Sequence, residues 1–207
     1  MNAPGTTPRW PKGPFPERYR FAAVEARLGG AWSDDRLHAL DAIARAHALA
    51  PIGPEDPWVR LFRVPSEGHD DVALRASARE HGLTAFVWIA PARTRRDATA
   101  EERVVGVVPS SDLVEAVTAV GVAGPVHGIG MPAIVRFLVT LRSFARYDLG
   151  AMGEDCLELG LTPRDEEALA RIAERVLRIC PPLARSQSAE AVANTIRTTS
   201  VLRMDWA

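Results

Sequence analysis

The sequence predicts an α+β fold, with a mostly antiparallel or mixed sheet covered by helices. Three observations carry this. Leu83–Ala90 and Val104–Val108 are nearly continuous apolar runs, as expected of strands buried on both faces. The stretch from Met131 to Cys180 reads as a buried helix, a strand pair and a second long helix. From Val104 onward the order is strand, helices, strand, strand, helices, strand, which matches a split βαβ, ferredoxin-like arrangement for the C-terminal half.

Residues 1–17 carry Pro4, Pro8, Pro11, Pro14 and Pro16, a pattern that predicts a flexible tail, with Trp10 and Phe15 on the domain surface. Residues 18–207 then form a single domain. Arg18–Leu28 is helical and closes at Gly29-Gly30. Ser33 caps a second helix that reaches about Leu49, so 18–50 reads as an N-terminal helical hairpin on the sheet-containing body of 58–207. A strand over Trp58–Val64 and a helix from about Asp70 to His81, stopped by Gly82, lead to the apolar strands. Between those strands, Pro91–Arg103 is too polar for the core and long for a hairpin. Ser110 or Asp112 starts the next helix, and a loop with four glycines, Gly121–Gly130, follows it.

Met131–Ala145 sets Ile134, Phe137, Leu138 and Leu141 on one helical face, with Pro132 suited to the first turn. Two strands follow, over roughly 146–152 and 155–161. Thr162 as N-cap and Pro163 at the first helical position then open a strongly amphipathic helix, whose inner stripe is Leu169, Ile172, Ala173, Val176, Leu177 and Cys180. Pro181-Pro182 stops it, Ser188 caps a last helix, and Val201–Trp206 is a final strand.

The totals exclude several classes. The chain has 207 residues, 47% of them apolar and 25% charged, which is ordinary globular composition. A net charge of −1 argues against a non-specific nucleic-acid or membrane binder. Cys156 and Cys180 form neither a disulfide framework nor a metal knuckle, and both read as small core residues. No run approaches the roughly 20 apolar residues of a membrane span. The opening Met-Asn-Ala-Pro-Gly lacks the apolar core of a signal peptide, so a cytoplasmic location is the expectation.

No catalytic constellation stands out, and no cofactor or metal is expected. His38 and His47 are out of phase on one helix, so they cannot share a metal. His69-Asp70-Asp71 has ligand-type side chains but also fits a polar helix start. His127, in the glycine-rich loop, is the one weak catalytic candidate, as a loop base without an adjacent nucleophile. Gly124–Gly130 matches neither a phosphate loop nor a dinucleotide fingerprint. For binding, the candidates are Arg93, Arg95 and Arg96 in the polar connection, together with His127, Asp205 and Trp206.

Three segments carry a resemblance. They are the loop Gly121-Val-Ala-Gly-Pro-Val-His-Gly-Ile129, the strand pair Tyr147–Leu159, and an alanine-rich helix ending in Cys180-Pro181 before a short helix and a tryptophan strand. Over about the last 90 residues the chain resembles a bacterial family known only as domain of unknown function 4253. It departs from that family's pattern at Pro182 (an acid in the family), at Gln187-Ser188 (Gln-Gly) and at its ending Asp205-Trp206-Ala207 (Trp-Trp-Asp). The resemblance implies a bacterial, soluble, single-domain protein and supplies no activity. The sequence therefore points to a non-enzymatic binding protein acting through protein–protein contact, with an immunity or antitoxin-type inhibitor as its sharpest form. The alternatives are an enzyme or small-ligand domain with a pocket near His127, and a structural subunit that docks through the 18–50 hairpin.

Overall fold

The computed structural model describes residues 15–53, 57–65, 70–90 and 103–207. Trp10, His69, Arg93, Arg95 and Arg96 lie outside them. After a 3₁₀ turn (Glu17–Tyr19), the chain runs through α1 (Phe21–Leu28), α2 (Asp34–Ala46), β1 (Ala50–Pro51), β2 (Arg60–Arg63), α3 (Asp71–Glu80), β3 (Thr84–Trp88) and β4 (Val104–Val108). It continues through α4 (Leu113–Val120), α5 (Met131–Leu141), β5 (Ala145–Met152), β6 (Cys156–Pro163), α6 (Glu166–Ile179), α7 (Pro181–Ser186), α8 (Ala189–Thr199) and β7 (Val201–Asp205).

Small polar side chains start the helices by accepting first-turn N–H groups that have no partner within the helix. Ser33, Asp70, Asp112 and Ser188 do so for α2, α3, α4 and α8. For α6 the cap is Asp165, whose carboxylate accepts from Ala168 N–H at 2.7 Å, and not the expected Thr162. The reason lies in the neighbouring strand: β6 continues through Pro163, which pairs with Ala145, so those residues are extended. Pro181 ends one helix and opens the next, because α7 begins on it.

Among the described residues the strands form one mixed sheet in the order β1-β2-β4-β3-β5-β6-β7, in which β3–β5 is the one parallel pair. The α+β class and the helical cover are as the sequence predicts. The element order from β4 onward also holds, but the pairing is not interleaved as in a split βαβ unit. The strand between β4 and β5 is β3, and β7 lies beside β6 at the far edge. Sequence-local pairing explains this, because β4 is the next strand after β3 and closing the shorter loop has the lower entropic cost. That leaves only the other edge of β3 for β5.

Alternation divides the interior into two cores. On one face, Phe86 and Val108 pack with Val24, Leu28, Val114 and Leu138. On the other, Ala85, Val105 and Val107 pack with Leu40, Ile43 and Leu74. The two N-terminal helices therefore part company: α1 packs on α4 and α2 on α3, with Gly29-Gly30 leading from one face to the other. Gly106 lies opposite Phe86 across the β3–β4 ladder, and a Cβ there would strike the Phe86 ring. Gly106→Ala is therefore expected to lower the unfolding free energy by about 1–3 kcal/mol in urea denaturation. A loss below about 0.5 kcal/mol would show that the ring moves aside without strain.

Candidate functional site

The sheet opens at its parallel junction. β3 and β5 pair only at Val87↔Ala151 and Trp88↔Met152, and Ile89 N–H donates to Met152 C=O at 2.9 Å. Toward their N-terminal ends the strands separate. A β-bulge contributes, since the β5–β6 register shifts between Leu149 and Ala151 and leaves Gly150 without a β6 partner. Such an extra residue bends its strand and re-aims the side chains beyond it.

The gap is a cleft of about 280 Å³ whose lining includes Arg75, Arg79, Thr84, Ala85, Ser111 and Asp148. A second groove of about 240 Å³ shares Arg75, Arg79 and Asp148 and runs under α3 over Gly150 and Gly160. The α3 residues involved are Val72, Arg75, Ala76 and Arg79, spaced i, i+3, i+4 and i+7 and so forming one stripe of the helix. Val72 is 68% exposed. Leu74 and Ala78, one position before Arg75 and Arg79, face the core. Arg79 Nη2 lies 2.8 Å from Asp148 Oδ1, with both side chains mostly in solvent. Arg75 Nη1 donates to Gly150 C=O at a long 3.4 Å, and Thr84 Oγ1 donates to Ser110 C=O at 2.5 Å. The lining supplies guanidinium, hydroxyl and carboxylate groups, which can hold an oxygen-bearing group.

His127, Asp205 and Trp206 come to one corner of the molecule. Gly124 and Ile129 bridge across the loop, and His127 ends a 3₁₀ turn (Pro125–His127) between them. It is Gly124, however, that meets Trp206, since a Cβ at Gly124 would lie 2.5 Å from the indole Cδ1. Trp206 is 1% exposed and donates its indole N–H to Ile179 C=O at 2.7 Å. Its ring is thus a buried wedge between the C-terminus and α6, with no face turned to a ligand. Asp205 accepts from Ala207 N–H through its carboxylate and from the Cys180 thiol through its backbone carbonyl. Burial raises the Cys180 pKa, in keeping with an inert core thiol.

A third cluster joins segments about 90 residues apart. Asp112 accepts from Arg142 and Val114 N–H on one oxygen, at 2.8 and 2.9 Å, and from Tyr19 and Arg18 on the other, at 2.9 and 3.0 Å. Beside it, buried Glu115 accepts from Arg27 and from Ser110 Oγ. Burial alone would raise the Asp112 pKa, but the Tyr19 hydroxyl, Val114 N–H and Arg142 together hold it below the usual carboxylate value. Tyr19 is raised, first by burial and then by its bond to Asp112. Tyr147 is raised by burial, with Arg142 opposing. These satisfied groups clamp the N-terminal turn onto α4 and α5.

The sequence marks Asp112 only as a helix start, because nothing local announces partners so distant. It holds no sign of the Arg75–Arg79 cleft either. The i, i+4 spacing of those arginines is visible, but the parting of β3 from β5 is not. No helix among the described residues is long and apolar enough to cross a membrane, and no group of three or more His, Cys, Asp or Glu among them is placed to hold a metal. Comparison of the sequence and fold with protein-family models, with curated proteins and with solved structures returns no match, so the cleft is interpreted from its own geometry.

Proposed function

We propose that this protein is a non-catalytic binding protein that recognises a protein partner through the outer stripe of α3 and the groove beneath it, as an immunity or antitoxin-type inhibitor would. One observation carries the reading: an exposed valine and two arginines share a helical stripe above a groove floored by Gly150 and Gly160, and at Gly160, where a Cβ would meet nothing nearer than Asp148 C=O at 4.0 Å, there is room for an approaching segment. The sheet edges favour this face over strand addition. β1 is two residues long and contains Pro51. On β7, Thr199 Oγ1 meets Val201 N–H, and Cys180 meets the Asp205 C=O.

The test is affinity capture from the native host with the full-length protein and with Gly160→Arg. That substitution fills the groove floor from a half-buried position on β6, and its fold is checked by circular dichroism. The expected result is a stoichiometric protein partner held by the original protein and bound at least about tenfold more weakly by the variant. Equal retention by both would exclude this face, and turnover of a substrate that depends on His127 would overturn the non-catalytic reading.

A further inference from the structure

We propose that the cleft between α3 and the parted strands β3 and β5 is a carboxylate-binding site, which takes an acidic side chain of a peptide segment between Arg75, Arg79 and Ser111. This rests on α3 being the recognition face and adds the chemistry of the group that enters. Three observations support it.

The first is the backbone. The alternation that turns Val87 and Ile89 toward β5 turns the N–H and C=O of Ala85 the same way, yet the β3–β5 pairing stops at Val87. Ala85 is 3% exposed and lines the cleft, so its strand edge presents polar groups where the sheet supplies no neighbour. A peptide segment entering there can bond to that edge.

The second is a carboxylate already in place. Asp148, on β5, reaches into both grooves and holds Arg79 at 2.8 Å. The protein's own acid thus shows that a carboxylate fits this position. The pair is exposed, and exposed pairs are weak and exchange readily. An incoming carboxylate can displace Asp148 and gain the planar fork geometry that guanidinium groups favour.

The third is Arg75. It is half-buried against the cleft wall, its bond to Gly150 C=O is long, and it lies one helical turn from Arg79. Two guanidinium groups one turn apart, with the Ser111 hydroxyl on the same cleft, suit one carboxylate better than two independent ones.

The experiment is an NMR titration of the full-length ¹⁵N-labelled protein with a capped tri-glutamate peptide, with inorganic phosphate as a second arm. Saturable shifts are expected at the amides of Ala85, Ser111 and Gly150 and at Arg75 and Arg79 Nε. Arg75→Gln should weaken binding about tenfold. Asp148→Asn, which removes the internal competitor, should tighten it by about two- to fivefold. The same spectra report the folding of each variant directly. The proposal is overturned by non-saturating shifts scattered over surface arginines, by unchanged affinity in Asp148→Asn, or by phosphate binding the same amides more tightly than the peptide. Saturable peptide binding combined with full partner capture by Gly160→Arg would remove the partner reading alone and leave the carboxylate site standing.

Discussion

Trp206→Ala is expected to lower the unfolding free energy by about 3–5 kcal/mol, a large part of the stability of a domain of this size. The indole is 1% exposed, lies against Gly124 and donates to Ile179 C=O at 2.7 Å. Truncation leaves a ring-sized cavity and also an unpartnered carbonyl at the C-terminal end of α6. Trp206→Phe separates the two effects, because it keeps most of the packing and removes only the donor, for an expected loss of about 1–3 kcal/mol. Urea denaturation followed by circular dichroism measures both. If Trp206→Ala lost less than about 1 kcal/mol, the indole would not be the wedge described, and a ligand-facing role for the Asp205-Trp206 end would regain force.

Asp112→Ala is expected to cost about 2–4 kcal/mol, combining a lost helix cap with the stranding of the buried Tyr19 hydroxyl and the loss of the ion pair to exposed Arg142. The pH dependence gives the sharper readout. The folded-state pKa of Asp112 is below its ordinary 3.8, so the unfolded chain takes up the proton more readily. Its contribution is therefore fully present above that value and is lost as pH falls through the lower, folded-state one. Urea midpoints measured from about pH 6 to about pH 2 should show a steeper acid decline in the original protein than in Asp112→Ala. Parallel declines would mean that Asp112 is not held low by its partners. Tyr19 and Tyr147 act in the opposite direction: their raised values make stability fall as pH rises above about 10.

Trp206→Ala leaves the cleft lining untouched and is a useful control, whereas Asp112 stands between Ser111 and Leu113 of that lining. Both act on the core face that carries α1, α4, α5 and α6, whereas Arg75 and Arg79 on α3, and Asp148 beside them, lie on the other side of the sheet. A loss of partner binding that followed stability in Trp206→Ala would point to global unfolding. A loss confined to Gly160→Arg or Arg75→Gln would point to the groove.

Local chemistry decided most of the elements, and so the sequence by itself determined them. Leu83–Ala90 and Val104–Val108 read as buried strands, the Leu169–Cys180 stripe as an amphipathic helix, and Ser33 and Ser188 as caps. Each signal operates within a turn or a pleat and survives any tertiary arrangement. The features that the tertiary structure alone decided depend on pairing at a distance. Thr162 lost its capping role because β6 needed it extended opposite Arg146. The hairpin expected at 18–50 opened because the sheet had two apolar faces to cover. Tyr19 and Arg142 found Asp112 from opposite directions along the sequence. The cleft is the clearest instance. Arg75, Arg79, Ala85 and Asp148 are ordinary residues in sequence, and they become neighbours only because β5 bulges at Gly150 and parts from β3 after two paired residues. Hydrophobic periodicity records which face of an element is buried, but it holds no information about which strand will stand beside which.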